Sequence, residues 1–211
     1  VYIIIYFMIK NILFDFGGVI ISIEDGPIKF VEKRNKLKKG YIYEKIKFII
    51  VDYAKGLIDT FGFRKGLVEK LGKDLGEELF ERWGHREGAK IKPEIIQLVD
   101  ELKEKGYKCY ILSDTNPIHA SSNEIRHIYD MFDDKILSYE IGICKREDTW
   151  NNTTNFFDYA LDKLDIKAEE SIFIDDLQEN CLVAAKLGIK TIWAQNSKQV
   201  ISDLSGILGI D

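Results

Sequence analysis

Apolar residues fall along this chain in two arrangements, short unbroken runs and stripes at helical spacing. The first run, Ile12-Leu13-Phe14, leads straight into Asp15, then two glycines and the pair Val19-Ile20. A short unbroken run of this kind reads as a strand buried on both faces of a parallel sheet. Similar runs predict strands over 108–112, 135–139, 171–174 and 190–193. Between them the spacing turns helical. Ile95, Ile96, Val99 and Leu102 form the buried stripe of a helix that Pro93 opens and Gly106 closes. Further helices are expected from Pro117 to about Tyr129, over 156–164 and over 179–187, the last ended by Gly188. Strands alternating with helices predict an α/β fold, a Rossmann-like parallel sheet with helices on both faces.

One long stretch breaks the alternation. Residues 24–88 show no clear strand. Ile28, Val31 and Leu37, then Ile46, Ile49, Ile50 and Tyr53, then Phe63, Leu67, Val68 and Leu71, then Leu75, Leu79, Phe80 and Trp83 recur at helical spacing. Gly40, Gly56, Gly62, Gly72 and Gly88 punctuate them. Three or four short helices are expected as an insert after the first strand. The expected division is a core of residues 1–22 and 90–211 with a helical insert at 23–89.

The opening decapeptide VYIIIYFMIK is apolar but about half the length that spans a bilayer, and it lacks the marks of a signal peptide. It reads as an extra edge strand or, preferred here, as an upstream extension before a natural start at Met8.

With 211 residues, 45% hydrophobic and 31% charged, the chain suits one globular domain with an insertion. The net charge of -5 leaves no basic excess to neutralise phosphates, which argues against nucleic acid as the partner. The basic run from Lys29 to Lys47 is diluted by Glu32 and Glu44 and reads as a solvated helical face. Cys109, Cys144 and Cys181 are odd in number, far apart and without metal-ligand spacing, so a reducing, cytoplasmic setting is expected. Cys109 falls in an apolar run and is expected in the core.

Right-handed crossovers place the carboxyl ends of parallel strands on one edge, where open α/β sheets bind ligands. Asp15, Ser113 and the pair Asp175-Asp176 directly follow expected strands and therefore share one crevice. Gly17 and Gly18 permit a tight turn and close approach of a ligand to backbone amides. Asp15 alone reads equally well as a loop cap. Together, a carboxylate, a hydroxyl, a lysine and an acid pair suit Mg²⁺ and a phosphoryl group.

These stretches resemble the motifs of the haloacid dehalogenase superfamily, in the branch with a helical cap inserted after the first motif. FDFGGVI resembles the first motif, ILSDTN at 111–116 the second, SYEIGICK at 138–145 the approach to the third, and FIDDLQEN at 173–180 the fourth. The resemblance implies Asp15 as nucleophile and Ser113 and Lys145 as catalytic partners. It implies phosphate contacts from Gly18, Ser113, Asp114 and Lys145. It further implies Mg²⁺ held by Asp15, the Gly17 carbonyl, Asp175 and Asp176, with Asp176 as the direct ligand of the pair. The insert resembles the cap that closes over substrate. His85 and Arg86 are its candidate contacts, although ordinary surface positions are the plainer reading, and Trp83 reads as cap core.

Three positions depart from the family pattern. Gly17 stands where most family phosphatases carry a second Asp as general acid and base, and it matches a branch with glycine at this position, resembling glucose-1-phosphate phosphatases. Asp114 stands where asparagine is common. The loop KREDTWNNTT after Lys145 is longer than usual, so Arg146 is a candidate to share the lysine's role. The expected function is a Mg²⁺-dependent phosphatase of small phosphorylated metabolites acting through an aspartyl-phosphate. The alternatives are a non-catalytic binding protein of the same fold, and a dehalogenase, for which the acid pair has no use. Neither a monomer nor a homodimer is excluded, and no membrane partner is expected.

Overall fold

The computed structural model describes residues 8–23, 26–84, 89–146 and 155–210. In chain order the elements are β1 (Asn11–Phe14), β2 (Ile21–Ile23), α1 (Pro27–Arg34), α2 (Tyr41–Ala54), α3 (Thr60–Leu71), α4 (Lys73–Gly84), β3 (Ala89–Ile91) and α5 (Pro93–Glu104). There follow β4 (Lys108–Ser113), α6 (Pro117–Ile125), β5 (Asp134–Leu137), α7 (Ser138–Ile141), α8 (Phe156–Leu164), β6 (Ser171–Asp175), α9 (Gln178–Lys186), β7 (Lys190–Trp193) and α10 (Ser197–Leu208).

Five strands form one parallel sheet in the order β5-β4-β1-β6-β7. Side chains of a strand alternate between faces, so each strand feeds two cores. Ile12 and Phe14 join Ile111, Ile174, Val99 and Leu102 on one side. Leu13 joins Leu112, Phe173, Phe156 and Phe157 on the other. All four residues of β1 are buried, which explains its unbroken apolar run. With β1 central, Asp15 emerges in the middle of the sheet edge.

Helices α1–α4 form a separate packed unit with its own core of Val31, Ile42, Ile46, Tyr53, Phe63, Leu67, Leu79 and Trp83. Tyr53 stacks on Phe63 at 4.2 Å, and Trp83 meets Phe63 edge-on at 5.0 Å. The antiparallel pair β2–β3 joins the two ends of this unit. Packing of Ile118 from α6 against its core helps dock it on the sheet unit, together with hydrogen bonds. Ser138 Oγ donates to the Ala54 carbonyl at 2.7 Å, and His119 Nε2 donates to the Trp83 carbonyl at 3.1 Å while its ring stacks on the indole.

Several expectations change. The strand expected over 135–139 ends at Leu137, and residues 138–139 begin α7. The helix expected to reach Tyr129 stops at Ile125. Strands β2 and β3 and helix α10 were not foreseen. The strands have three residues each, too few for a period to register. Glu32 is not part of a solvated face. It is buried, and its carboxylate accepts the N–H groups of Gly40 and Ile42 at 3.0 and 2.8 Å, capping α2 where Gly40 has no side chain to do so. Cys109 is buried in the core, as expected. The readings of residues 1–7, of His85 and Arg86, and of the loop beyond Arg146 lie outside the described residues. Among the described residues, no helix is long and apolar enough to cross a membrane.

Candidate active site

The crevice at the carboxyl edge of the sheet begins with two adjacent strands. The Asp15 N–H donates to the Ile174 carbonyl at 2.8 Å, which fixes Asp15 beside the end of β6. Asp175 closes that strand and is fully buried. Lys145 follows the turn after α7 and drives its side chain inward until it too is buried. Its ammonium donates to Asp15 Oδ1 at 2.5 Å, Asp175 Oδ2 at 2.7 Å and the Leu112 carbonyl at 3.1 Å. A buried ammonium requires such partners.

Asp175 accepts further bonds. Its Oδ1 accepts the Leu177 N–H at 2.8 Å, and its Oδ2 also accepts Asn180 Nδ2 at 2.9 Å. Asp176, next in the chain, is exposed to the crevice. One carboxylate oxygen from each of Asp15, Asp175 and Asp176 lies within 4.8 Å of the others. Asn180 is 2% exposed, and among the described residues its Oδ1 has no hydrogen-bond partner. An orphaned buried carbonyl oxygen beside a carboxylate cluster calls for a donor such as a metal-bound water.

Electrostatics follow from this crowding. Burial pushes Asp15 up to about 7, opposed by Lys145 and reinforced by Asp175 and Asp176. Burial also raises Asp176, and Asp175 adds to the effect. For Lys145 burial opposes the charge, but the carboxylates of Asp15, Asp175 and Asp114 outweigh it and hold the ammonium protonated. One bonded ammonium among three carboxylates leaves the cluster short of positive charge. A divalent cation with oxygen ligands matches that deficit and the oxygen-only donor set.

The cavity has a volume of about 320 Å³, and its lining includes Asp15, Gly17, Asp114, Arg146, Asp176 and Asn180. Gly17 and Gly18 form the turn after Asp15. Gly18 has φ +77° and its carbonyl accepts from the Lys92 ammonium. Ser113 ends β4 and is buried. Asp114, next in the chain, lines the crevice. Its Oδ1 accepts the Lys145 N–H at 3.0 Å, which ties the lysine's backbone to β4. Burial raises Asp114, and Lys145 counters it.

The structure thus gathers Asp15, Gly17, Gly18, Asp114, Lys145, Asp175 and Asp176 in one place, with Ser113 buried at the end of the neighbouring strand β4. Sequence reasoning missed Asn180, Lys92 and Ser138. Asn180 carried one usable signal, a polar residue one helical turn beyond Asp176. Lys92 carried none, since its approach to Gly18 depends on the return from the helical unit. Trp83 is core, and His119 is a structural link between units.

A parallel sheet with a carboxylate-lysine-acid-pair cluster at its carboxyl edge defines a Rossmann-like α/β protein with an oxygen-rich site at that edge. The chain belongs to the haloacid dehalogenase-like hydrolase family, whose model matches residues 9–188. It is 29% identical over 213 residues to D-ribitol-5-phosphate phosphatase of Bacteroides thetaiotaomicron, covering 95% of this chain and 99% of that one. A 102-residue stretch, 47% of this chain and 42% of the relative, is 33% identical to glyceraldehyde 3-phosphate phosphatase of Methanocaldococcus jannaschii. Among solved structures, a HAD family enzyme from Bacteroides thetaiotaomicron in complex with magnesium and inorganic phosphate superposes with a TM-score of 0.68 at 30% identity, covering 87% of this chain and 93% of that one.

Proposed function

We propose that this protein is a Mg²⁺-dependent phosphatase of small phosphorylated metabolites, sugar or polyol phosphates among them, acting through an aspartyl-phosphate on Asp15. The carrying observation is the cluster of Asp15, Asp175 and Asp176 around a single bonded ammonium, beside the orphaned Asn180 Oδ1. The names of the relatives point the same way, since two are phosphatases of three- or five-carbon phosphate esters and a related enzyme was crystallised with magnesium and phosphate. Helices α1–α4 would act as the cap that closes over substrate. A cytoplasmic setting fits Cys109 and Cys181, which are buried thiols without a disulfide.

Asp15, the Gly17 carbonyl and Asp176 would hold the ion, with Asp175 committed to orienting Lys145 and Asn180. The ion would offset the charge of the phosphate oxygens and so let an anionic nucleophile approach. An Asp15 carboxylate oxygen attacks phosphorus, and the ester oxygen departs with the bonding pair. Lys145, anchored by Asp175 and the Leu112 carbonyl, holds its charge beside the nucleophile and the transferring oxygens. Water then attacks phosphorus, releases orthophosphate and restores the Asp15 carboxylate. Gly17 offers no acid to the leaving oxygen. Esters whose leaving groups need little protonation, such as anomeric sugar phosphates, acyl phosphates and aryl phosphates, are therefore favoured over simple alkyl esters.

Rapid acid quenching with phosphorus-labelled substrate tests the intermediate. Label bound to wild-type protein, absent from Asp15→Asn and released by hydroxylamine, is the expected result. Steady turnover with no such label would contradict a covalent route through Asp15.

A further inference from the structure

We infer that Asp114 sets substrate specificity, selecting phosphate esters whose leaving group carries hydroxyls and rejecting those that carry a carboxylate near the ester. The inference rests on the phosphatase reading above and names the substrate class of that same site.

Asp114 differs from the other acids of the crevice. It makes no bond to Lys145 Nζ among the described contacts. Instead the Lys145 backbone N–H holds its Oδ1 at 3.0 Å and touches Oδ2 at 3.4 Å. That grip fixes the carboxylate on the crevice wall and consumes little of its acceptor capacity, because an ionised carboxylate offers about four lone-pair sites. The rest of the group faces a cavity of about 320 Å³ that it helps to line. An ionised acid only accepts, so it pairs with a hydroxyl and repels a second acid.

The charges around it sharpen the selection. Arg146 is exposed and lines the same cavity, and its charge acts on Asp114. A substrate carboxylate drawn to Arg146 in this cavity also comes under the charge of Asp114. Lys145 is already engaged with Asp15 and Asp175. An asparagine at 114 would still accept the Lys145 N–H through its carbonyl oxygen, but it would repel nothing and would leave Arg146 to bind acids. The carboxylate therefore adds discrimination that the backbone contact alone does not require.

The test uses a matched pair, glycerol 1-phosphate and 3-phosphoglycerate, which differ in a hydroxymethyl group against a carboxylate. kcat/KM is measured for both with Mg²⁺, alongside p-nitrophenyl phosphate, on wild type and Asp114→Asn. Wild type is expected to prefer glycerol 1-phosphate by at least about tenfold, and Asp114→Asn to shrink that preference by about tenfold or more, the scale of one unscreened like-charge contact. Asp114→Ser takes the same place should the Asn variant not fold. Hydrolysis of p-nitrophenyl phosphate with equal handling of the two esters by wild type, or an unchanged preference in a folded variant, overturns the role of Asp114 alone. Failure of wild type to hydrolyse any of the three esters overturns the phosphatase reading itself.

Discussion

A Cβ placed on Gly18 would stand 2.2 Å from Oδ2 of Asp176. The turn after β1 is thus shaped to let the outer acid of the pair close against the backbone that follows the nucleophile. Gly18 also has φ +77°, where a side chain is strained in any case. Gly18→Ala must push Asp176 away. The expected result is a loss of about 1–3 kcal/mol in stability and a clear weakening of Mg²⁺ binding, read by calorimetry on the folded variant. Unaltered Mg²⁺ affinity would show that Asp176 is not a ligand.

Gly17 behaves differently. A Cβ there meets only Asp15 Oδ2, at 4.0 Å, and its backbone is outside the left-handed region. The position has room for a side chain. Gly17→Asp would place a carboxyl group two residues from the nucleophile, where it can protonate a departing oxygen. General acid catalysis is worth about 10²–10⁴-fold when fully engaged, so the rate on an alkyl ester should rise relative to that on p-nitrophenyl phosphate. A ratio that stays fixed would mean that protonation of the leaving group does not limit this enzyme.

Proton linkage follows from Asp15. Burial raises it to about 7 in the metal-free protein, above the ordinary carboxylate value of 3.8. A raised folded-state value means that the folded protein binds the extra proton. The stability it contributes is present below pH 3.8 and is lost as pH climbs through about 7. Metal-free protein should therefore lose stability between these limits, and Asp15→Asn should flatten that slope. Mg²⁺ competes with the same proton, so its affinity should fall as pH drops below about 7. Calorimetric titrations across that range provide the check.

Much of this arrangement was legible because the strands are short, buried and followed directly by chemistry. Ile12-Leu13-Phe14 announces β1, and Ser171 to Ile174 announces β6, so the sequence pattern alone puts Asp15 and Asp175-Asp176 on one edge. What stayed hidden depends on side-chain direction. Asp175 and Asp176 are neighbours of the same type, yet one is buried and accepts from three donors while the other faces the crevice. No pattern in the sequence shows that Asp114 turns its carboxylate to the Lys145 backbone. Glu32 looked like one charge in a basic stretch, and only the glycine turn before α2 gives its carboxylate amides to cap.

Ser138 joins the two units at a single hydroxyl. It has one proton and two carbonyls in range, Ala54 at 2.7 Å and Thr115 at 3.0 Å, and it accepts the Thr115 N–H at 2.9 Å. Thr115 follows Asp114, so this contact ties the docking of the helical unit to the loop at the end of β4. Ser138→Ala leaves a buried N–H without its acceptor and should lower stability by about 1–3 kcal/mol in urea unfolding. A change well inside experimental error would mean that water or a shifted backbone replaces the hydroxyl.

Hydrolysis of p-nitrophenyl phosphate, with and without Mg²⁺ and beside Asp15→Asn, tests the central claim most directly. The cluster around Lys145 predicts turnover that needs both the ion and the Asp15 carboxylate, with the variant still folded and at background rate. Turnover that persists in Asp15→Asn, or that is indifferent to removal of Mg²⁺ by chelation, would contradict the account.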